Sequence, residues 1–335
     1  MLGSLKWSQV ERGYLLKALA LNRIPRAFVD RHPSVSNTPP VLAQHAPGPL
    51  YMNGKLDRIV ASGYRTFDTK DLEEWSAGRD PNPEPGLLLT FDDGLRRFKD
   101  VTFPHLQARG MKSVIFVCAG LVEIASGSPS KLRDYVRSSI LTWDELKSLQ
   151  DTGLLDVQSH GMWHHMVPVS GEVSRIDNRP PPTVIEAQEL LPPPRGLASF
   201  FEQSDARVSR RRSRPFFLTS HAQCSEVTVE AQQADMIEAR QLIAARLPGS
   251  VVRAFAFPWW NGTSSARQAV YRAGYTQLYE GARSLKRSAY REKFASEPIG
   301  RLSFDFIDCL PGDGRRGVYD LMLAKQRGEY GNDLD

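Results

Sequence analysis

The sequence predicts an α/β fold with a parallel strand core, either an open sheet or a barrel. Strand-like and helix-like segments alternate along most of the chain, which is the pattern of strands joined by helical crossovers. At 335 residues the chain matches the size at which α/β barrels run as one unit, and 41% apolar with 24% charged residues is ordinary globular usage. One large core is therefore within reach.

The elements follow in order. Residues 55–63 read as a helix leading to Gly63, 64–68 as a strand, and Thr69 to Ser76 as a short capped helix. Residues 86–91 form an apolar strand, 95–109 a helix ending at Gly110, and Ser113-Val114-Ile115-Phe116-Val117 a β-branched strand. Thr142-Trp143-Asp144-Glu145 is a capping box that opens a helix to about Gln150, and Gly153 leads into strand 154–158. Glu226 to Leu247 is a long helical pattern stopped by Pro248-Gly249.

Two regions break the alternation. Residues 1–38 read as a helical arm and a Pro/Ser-rich link, before a main domain over 39–310 and a C-terminal tail over 311–335. Residues 167–222 contain two triple-proline runs and the basic run Arg207, Arg210, Arg211, Arg212 and Arg214, and they read as a long insertion over one face. The net charge is +5, and much of the excess sits in that run. It reads as a solvated loop or as a contact for a phosphate-bearing or lipid-linked substrate. No nucleic-acid partner is expected.

Cys118, Cys224 and Cys309 are odd in number and far apart, so neither a disulfide framework nor a CxxC metal site is available. Lys17 interrupts the one candidate apolar leader, and no stretch approaches 18 apolar residues. No transmembrane segment is expected, and these features point to a cytoplasmic protein.

Chemistry concentrates in three clusters. Leu87-Leu88-Leu89-Thr90-Phe91-Asp92-Asp93-Gly94 runs from a buried strand into two adjacent carboxylates. Ligands gather at the carboxyl ends of parallel strands, where one carboxylate can bind a metal and the other act as a base, although Asp-Asp-Gly is also good turn chemistry. The strand ending at Ser159 is followed by His160, His164 and His165, three imidazoles within six residues. Two imidazoles and one carboxylate make the open three-ligand site of a hydrolytic zinc centre, which lowers the pKa of bound water to about 7. Arg253-Ala254-Phe255-Ala256-Phe257-Pro258-Trp259-Trp260-Asn261-Gly262 ends an aromatic strand on Pro258, Trp259 and Trp260, flat faces suited to stacking on a sugar ring.

At these residues the chain resembles the polysaccharide deacetylase family, also called the NodB homology or carbohydrate esterase family 4 group. Thr90 to Gly94 match its TFDDG motif, Ser159, His160 and His164 its H-x3-H motif, and residues 255–260 approximate its FAYPYG-type motif. The resemblance covers roughly residues 40–305. It implies a distorted (β/α)7 barrel and metal-dependent removal of acetyl from an N-acetylated saccharide. Asp92 would be the general base, and Asp93, His160 and His164 would hold a divalent metal, Zn2+ first and Co2+ second. The oxyanion would rest against the metal and a backbone N–H near Trp259.

Three departures accompany the resemblance. The usual third-motif arginine that orients the base falls at Ala256; the usual proline after the second histidine is His165, which competes with His164; and no histidine lies beyond His221 to supply the late general acid. Val41-Leu42-Ala43-Gln44-His45 resembles the leading strand of the branch containing poly-N-acetylglucosamine deacetylases, which makes His45 the candidate acid. An O-acetyl esterase, another small-substrate C–N amidohydrolase and a non-catalytic sugar-binding relic are the alternatives. Carbohydrate or exopolysaccharide biosynthesis is the expected setting.

Overall fold

The computed structural model describes residues 17–18, 23–34, 38–80, 84–177, 208–225, 227–281 and 297–327. Most of the N-terminal arm, residues 328–335 of the C-terminal tail and residues 178–207 of the 167–222 segment lie outside them. Among the described residues there are ten strands: β1 (Val41–Gln44), β2 (Arg65–Phe67), β3 (Gly86–Phe91), β4 (Ser113–Val117), β5 (Leu155–Ser159), β6 (Met166–Asp177), β7 (Val208–Pro215), β8 (Ala254–Ala256), β9 (Gln277–Glu280) and β10 (Ile299–Ser303).

The parallel strands close into a ring, because β1 pairs with β10 on one side and β3 on the other. Around it run β1, β3, β4, β5, β8, β9 and β10, a closed seven-stranded parallel barrel surrounded by helices. The short β2 joins the first half of β3, at Gly86 to Leu88, while β4 takes the second half, at Thr90 and Phe91. The expected (β/α)7 barrel is the fold of this chain.

Strand alternation divides the apolar residues into two cores. Leu87, Leu89, Phe91, Ile115 and Val117 pack under the helices in the larger cluster. Leu88, Val114, Phe116, Ala254, Ala256, Tyr279 and Ile299 form the smaller cluster that fills the barrel. The inner frame continues along each strand to its carboxyl end, so Leu88-Thr90-Asp92, Asp156-Gln158-His160, Val41-Ala43-His45 and Ile299-Arg301-Ser303 have the same parity. Fold and site are thus set by one two-residue period.

The helices are α1 (Pro49–Ala61), α2 (Thr69–Ser76), α3 (Phe103–Gln107), α4 (Ala119–Ser126), α5 (Lys131–Arg137), α6 (Trp143–Gln150), α7 (Val229–Arg246), α8 (Ser264–Arg272) and α9 (Val318–Gln326). The predicted capping box is present, with the Thr142 side chain accepting from the Glu145 N–H and the Glu145 carboxylate from the Thr142 N–H. The first helix starts earlier than the apolar pattern suggests because Pro49 stands at its first turn, where a missing N–H costs nothing. The helix expected over 95–109 carries a π-helical turn at Phe98–Thr102 before α3. Pro104 removes one N–H and crowds the carbonyl a turn before it, which opens the wider turn.

Gly86 begins β3 against the face of Phe67, where a Cβ would sit 1.9 Å from the ring. Gly86→Ala is expected to cost about 1–3 kcal/mol by overpacking, read as a lower denaturant midpoint at constant slope. An unshifted midpoint would mean that this end of the barrel has room to adjust.

Candidate active site

Asp92 continues the inner frame of β3 and is 3% exposed, with its N–H donating to Gln44 O at the end of β1 (3.1 Å). Its partner is Arg301 of β10, 0% exposed, which donates from Nη1 to Oδ1 at 2.6 Å and from Nη2 to Oδ2 at 2.9 Å. The guanidinium lies 5.3 Å from the Trp260 ring centre and 5.5 Å from that of Phe116. Burial would raise the Asp92 carboxyl, but the charge and hydrogen bonds of Arg301, together with the charges of His160 and His45, outweigh it and bring the group down to about 2.

Asp93 breaks the strand. Its φ of 73° is left-handed, which Asp tolerates better than most residues, and Gly94 repeats the conformation at 74°. An extended residue here would point to the outer face; the turn brings the carboxylate round to the histidines instead. Its Oδ1 lies 3.5 Å from His160 Nε2 and 3.6 Å from His164 Nε2. Adjacent carboxylates are thus separated by role: one faces a buried guanidinium, the other faces two imidazoles.

His160 follows β5 in the inner frame, and its Nδ1 is 2.8 Å from Ala256 O on β8. A carbonyl only accepts, so Nδ1 carries the proton and the Nε2 lone pair faces Asp93. Burial pushes His160 and His164 down to about 4, a shift that the neighbouring carboxylates oppose without overcoming. Both imidazoles are therefore neutral at ordinary pH, the form that binds metal.

Asp93, His160 and His164 each offer a ligand atom within 4.8 Å of the others, and all three residues are buried. Asp93 Oδ1 is buried without a hydrogen-bond partner among the described residues. An N/N/O set with an orphaned carboxylate oxygen fits a divalent ion. Of the two adjacent histidines His164 lies in this cluster, while the His165 ring packs 5.9 Å from that of Trp163 and its carbonyl accepts from the Phe216 N–H at 3.0 Å.

His45, just past β1, reaches the same point, with Nε2 at 3.7 Å from Asp93 Oδ2 and a side chain 44% exposed. Pro258, Trp259 and Trp260 form a tight turn after β8. Trp259 and Trp260 have φ of 59° and 69°, so with Asp93 all the described non-glycine residues in the left-handed region lie at this site. The Trp259 ring packs 4.7 Å from His164. Trp260, half-buried, lies over the Arg301 guanidinium. Arg207 lies outside the described residues; Arg210, Arg211 and Arg212 have their backbone in β7, paired antiparallel to β6, and Arg214 is exposed.

Arg301 is the residue that sequence reasoning missed. Ala256 does occupy the position of the expected arginine, and the guanidinium comes from a different strand. A signal was present, since Ile299-Gly300-Arg301-Leu302-Ser303 places an arginine in the inner frame of a short apolar strand, where only a buried partner makes it tolerable.

A seven-stranded parallel barrel with a carboxylate–arginine pair and an Asp-His-His cluster at its carboxyl end has the architecture of the polysaccharide deacetylases. A model of that family, polysaccharide deacetylase, matches residues 79–278, and the chain belongs to it. Over 101 residues, 30% of this chain, it is 29% identical to the poly-beta-1,6-N-acetyl-D-glucosamine N-deacetylase of Escherichia coli (strain K12), and the matched stretch is 15% of that protein's length. Among solved structures it is similar to a de-N-acetylase from Aggregatibacter actinomycetemcomitans (16% identity, TM-score 0.56, 78% of this chain and 93% of that one). It is also similar to the BpsB deacetylase domain from Bordetella bronchiseptica (16% identity, TM-score 0.54, 78% and 94%). At these identities the structural likeness shows the fold.

The histidine shifts have a sign that can be tested. Each imidazole moves from 6.5 to about 4 on folding, so between these values the unfolded chain binds more protons. The metal-free protein is expected to lose stability as pH falls from about 6.5 to about 4, and NMR titration of the two imidazoles should give midpoints near 4. Midpoints near 6.5 would show that the imidazoles are not held neutral by burial.

Proposed function

We propose that the chain is a metal-dependent hydrolase that removes N-acetyl groups from an N-acetylated saccharide, with zinc as the ion and cobalt as its substitute. The observation that carries this is the convergence of Asp93, His160 and His164 beside an ionised, arginine-held Asp92 at the mouth of the barrel. The relative from Escherichia coli named for poly-beta-1,6-N-acetyl-D-glucosamine supports a polymer of N-acetylated hexosamine as the substrate class.

Asp93, His160 and His164 would hold the ion, which when bound supplies Lewis acidity toward the acetyl carbonyl. Asp92 takes the proton of the attacking water. Both its oxygens accept from Arg301, yet a carboxylate offers about four lone-pair sites, so capacity for the water remains. Arg301 keeps it ionised throughout the working pH range and fixes the plane in which it accepts. Oxygen adds to the carbonyl carbon, the C–N bond breaks, and the amine nitrogen takes a proton from His45, whose exposed ring stands at the mouth. The products are acetate and a free amino sugar. Trp259, beside His164, is placed to bound the acetyl end of the pocket.

Acetate release from a partly deacetylatable β-1,6-linked N-acetylglucosamine oligomer, with metal content measured in parallel, tests the assignment. Asp92→Asn is expected to retain the ion and lose about 10²-fold or more in kcat. Asp93→Asn should lose the ion as well. Equal metal loss in both variants would show that the two carboxylates have been given the wrong roles.

Arg301→Lys keeps a charge but not the two-pronged contact. Its expected signature is a kcat lower by about 10²-fold with KM and metal content unchanged, since it misplaces the base and not the substrate. A wild-type kcat in this variant would remove the guanidinium from the account.

A further inference from the structure

Asp235 is a buried carboxylate that the proposed chemistry does not use. It stands in the second turn of α7, is 8% exposed, and burial pushes it up to about 7. Among the described residues no lysine or arginine forms an ion pair with it. Its Oδ1 accepts from the Met162 N–H at 3.0 Å. Met162 lies midway between His160 and His164.

The residue before Met162 reinforces the contact. Gly161 has φ of 83°, and a Cβ there would come 2.9 Å from Asp235 Oδ1. The bend thus favours glycine, and the carboxylate occupies the space that a side chain would need. The Gly161 N–H also donates to Ser159 Oγ at 3.2 Å, while the Gly161 carbonyl accepts from the Ala119 N–H at 3.0 Å and the Met162 carbonyl from the Gly120 N–H at 2.9 Å. The four-residue step between the two imidazoles is held on every polar group that these two residues offer.

The same helix holds the far end of the segment. Gln232, three residues earlier and so on the same face as Asp235, donates from Nε2 to Phe216 O at 2.7 Å, just past β7. Helix α7 therefore fixes the backbone before β6 and the backbone after β7 with two neighbouring buried polar side chains.

We infer that Asp235 is a positioning residue for the metal site: through the Gly161–Met162 backbone it sets His160 and His164 at the separation that a shared ion requires. The inference rests on the metal-site reading of Asp93, His160 and His164. The carboxyl group can accept from Met162 whether or not it is ionised, so its role is geometric.

The test is zinc affinity of the purified chain by competition with a chromophoric chelator, alongside circular dichroism to establish folding. Asp235→Ala removes the acceptor and is expected to weaken zinc binding by about 10- to 100-fold, the usual scale for losing an outer support of a ligand. Asp235→Asn retains an acceptor oxygen and should restore near wild-type affinity. Gly161→Ala, which forces the backbone and Asp235 apart, should weaken binding by itself, and less so when combined with Asp235→Ala because the colliding oxygen is gone. A folded Asp235→Ala chain with wild-type affinity would overturn the inference; if that variant does not fold, wild-type affinity in Gly161→Ala overturns it. Lack of zinc binding by the wild-type chain is a different result, which sinks the metal site itself.

Discussion

Two neighbouring carboxylates are buried at the end of one strand, and the site depends on only one of them having a counter-ion. Arg301 grips both oxygens of Asp92 at 2.6 and 2.9 Å, and both partners are buried. A lone buried carboxylate would take up a proton; paired with a fixed guanidinium it stays charged, and removing either partner would strand the other. With Asp92 satisfied, Asp93 is left facing two neutral imidazoles with an oxygen that no hydrogen bond occupies. In the proposed chemistry, this asymmetry between adjacent, chemically identical groups is what would separate base from ligand.

The barrel supplies that asymmetry through strand parity. Asp92, His160, His45 and Arg301 come from four strands in the inner frame, the first three just beyond the carboxyl ends of theirs and Arg301 in the middle of β10. Backbone contacts lock these ends together: the Asp92 N–H donates to Gln44 O, and the His160 N–H donates to Val117 O at 2.9 Å. Asp93, Trp259 and Trp260 depart from regular geometry, with left-handed φ at the place where chemistry is proposed. Strain of this kind costs on the order of 1 kcal/mol per residue and persists only where surrounding contacts impose it. Here those contacts are the buried barrel and the Gly281 N–H donating to Trp260 O at 2.7 Å.

Much of this was legible in the sequence because the informative residues are close together in the chain. Asp92 and Asp93 are adjacent, and His160 and His164 fall within one short loop, so a motif could carry them. A parallel strand core was legible from the alternation of strands and helices, while its closure into a barrel came from the family resemblance. Arg301 was not, because its partner is 209 residues away and no local pattern reports a contact across a closed barrel. Strands β9 and β10 are short and carry buried Gln277, Glu280 and Arg301, which hides them from an apolar pattern. Asp235 looks like an ordinary surface acid in a polar helix until the helix face is known. Which of His164 and His165 lies beside Asp93 likewise depends on the direction of the chain, not on its composition.

In the proposed site, metal and base occupy separate carboxylates. Crystals of the zinc-loaded chain, measured on both sides of the zinc absorption edge, test it directly. The account predicts a single anomalous peak in contact with Asp93, His160 and His164, with Arg301 still on both oxygens of Asp92. A peak bound to Asp92, with Arg301 displaced, or one held by His165 in place of His164, would contradict it.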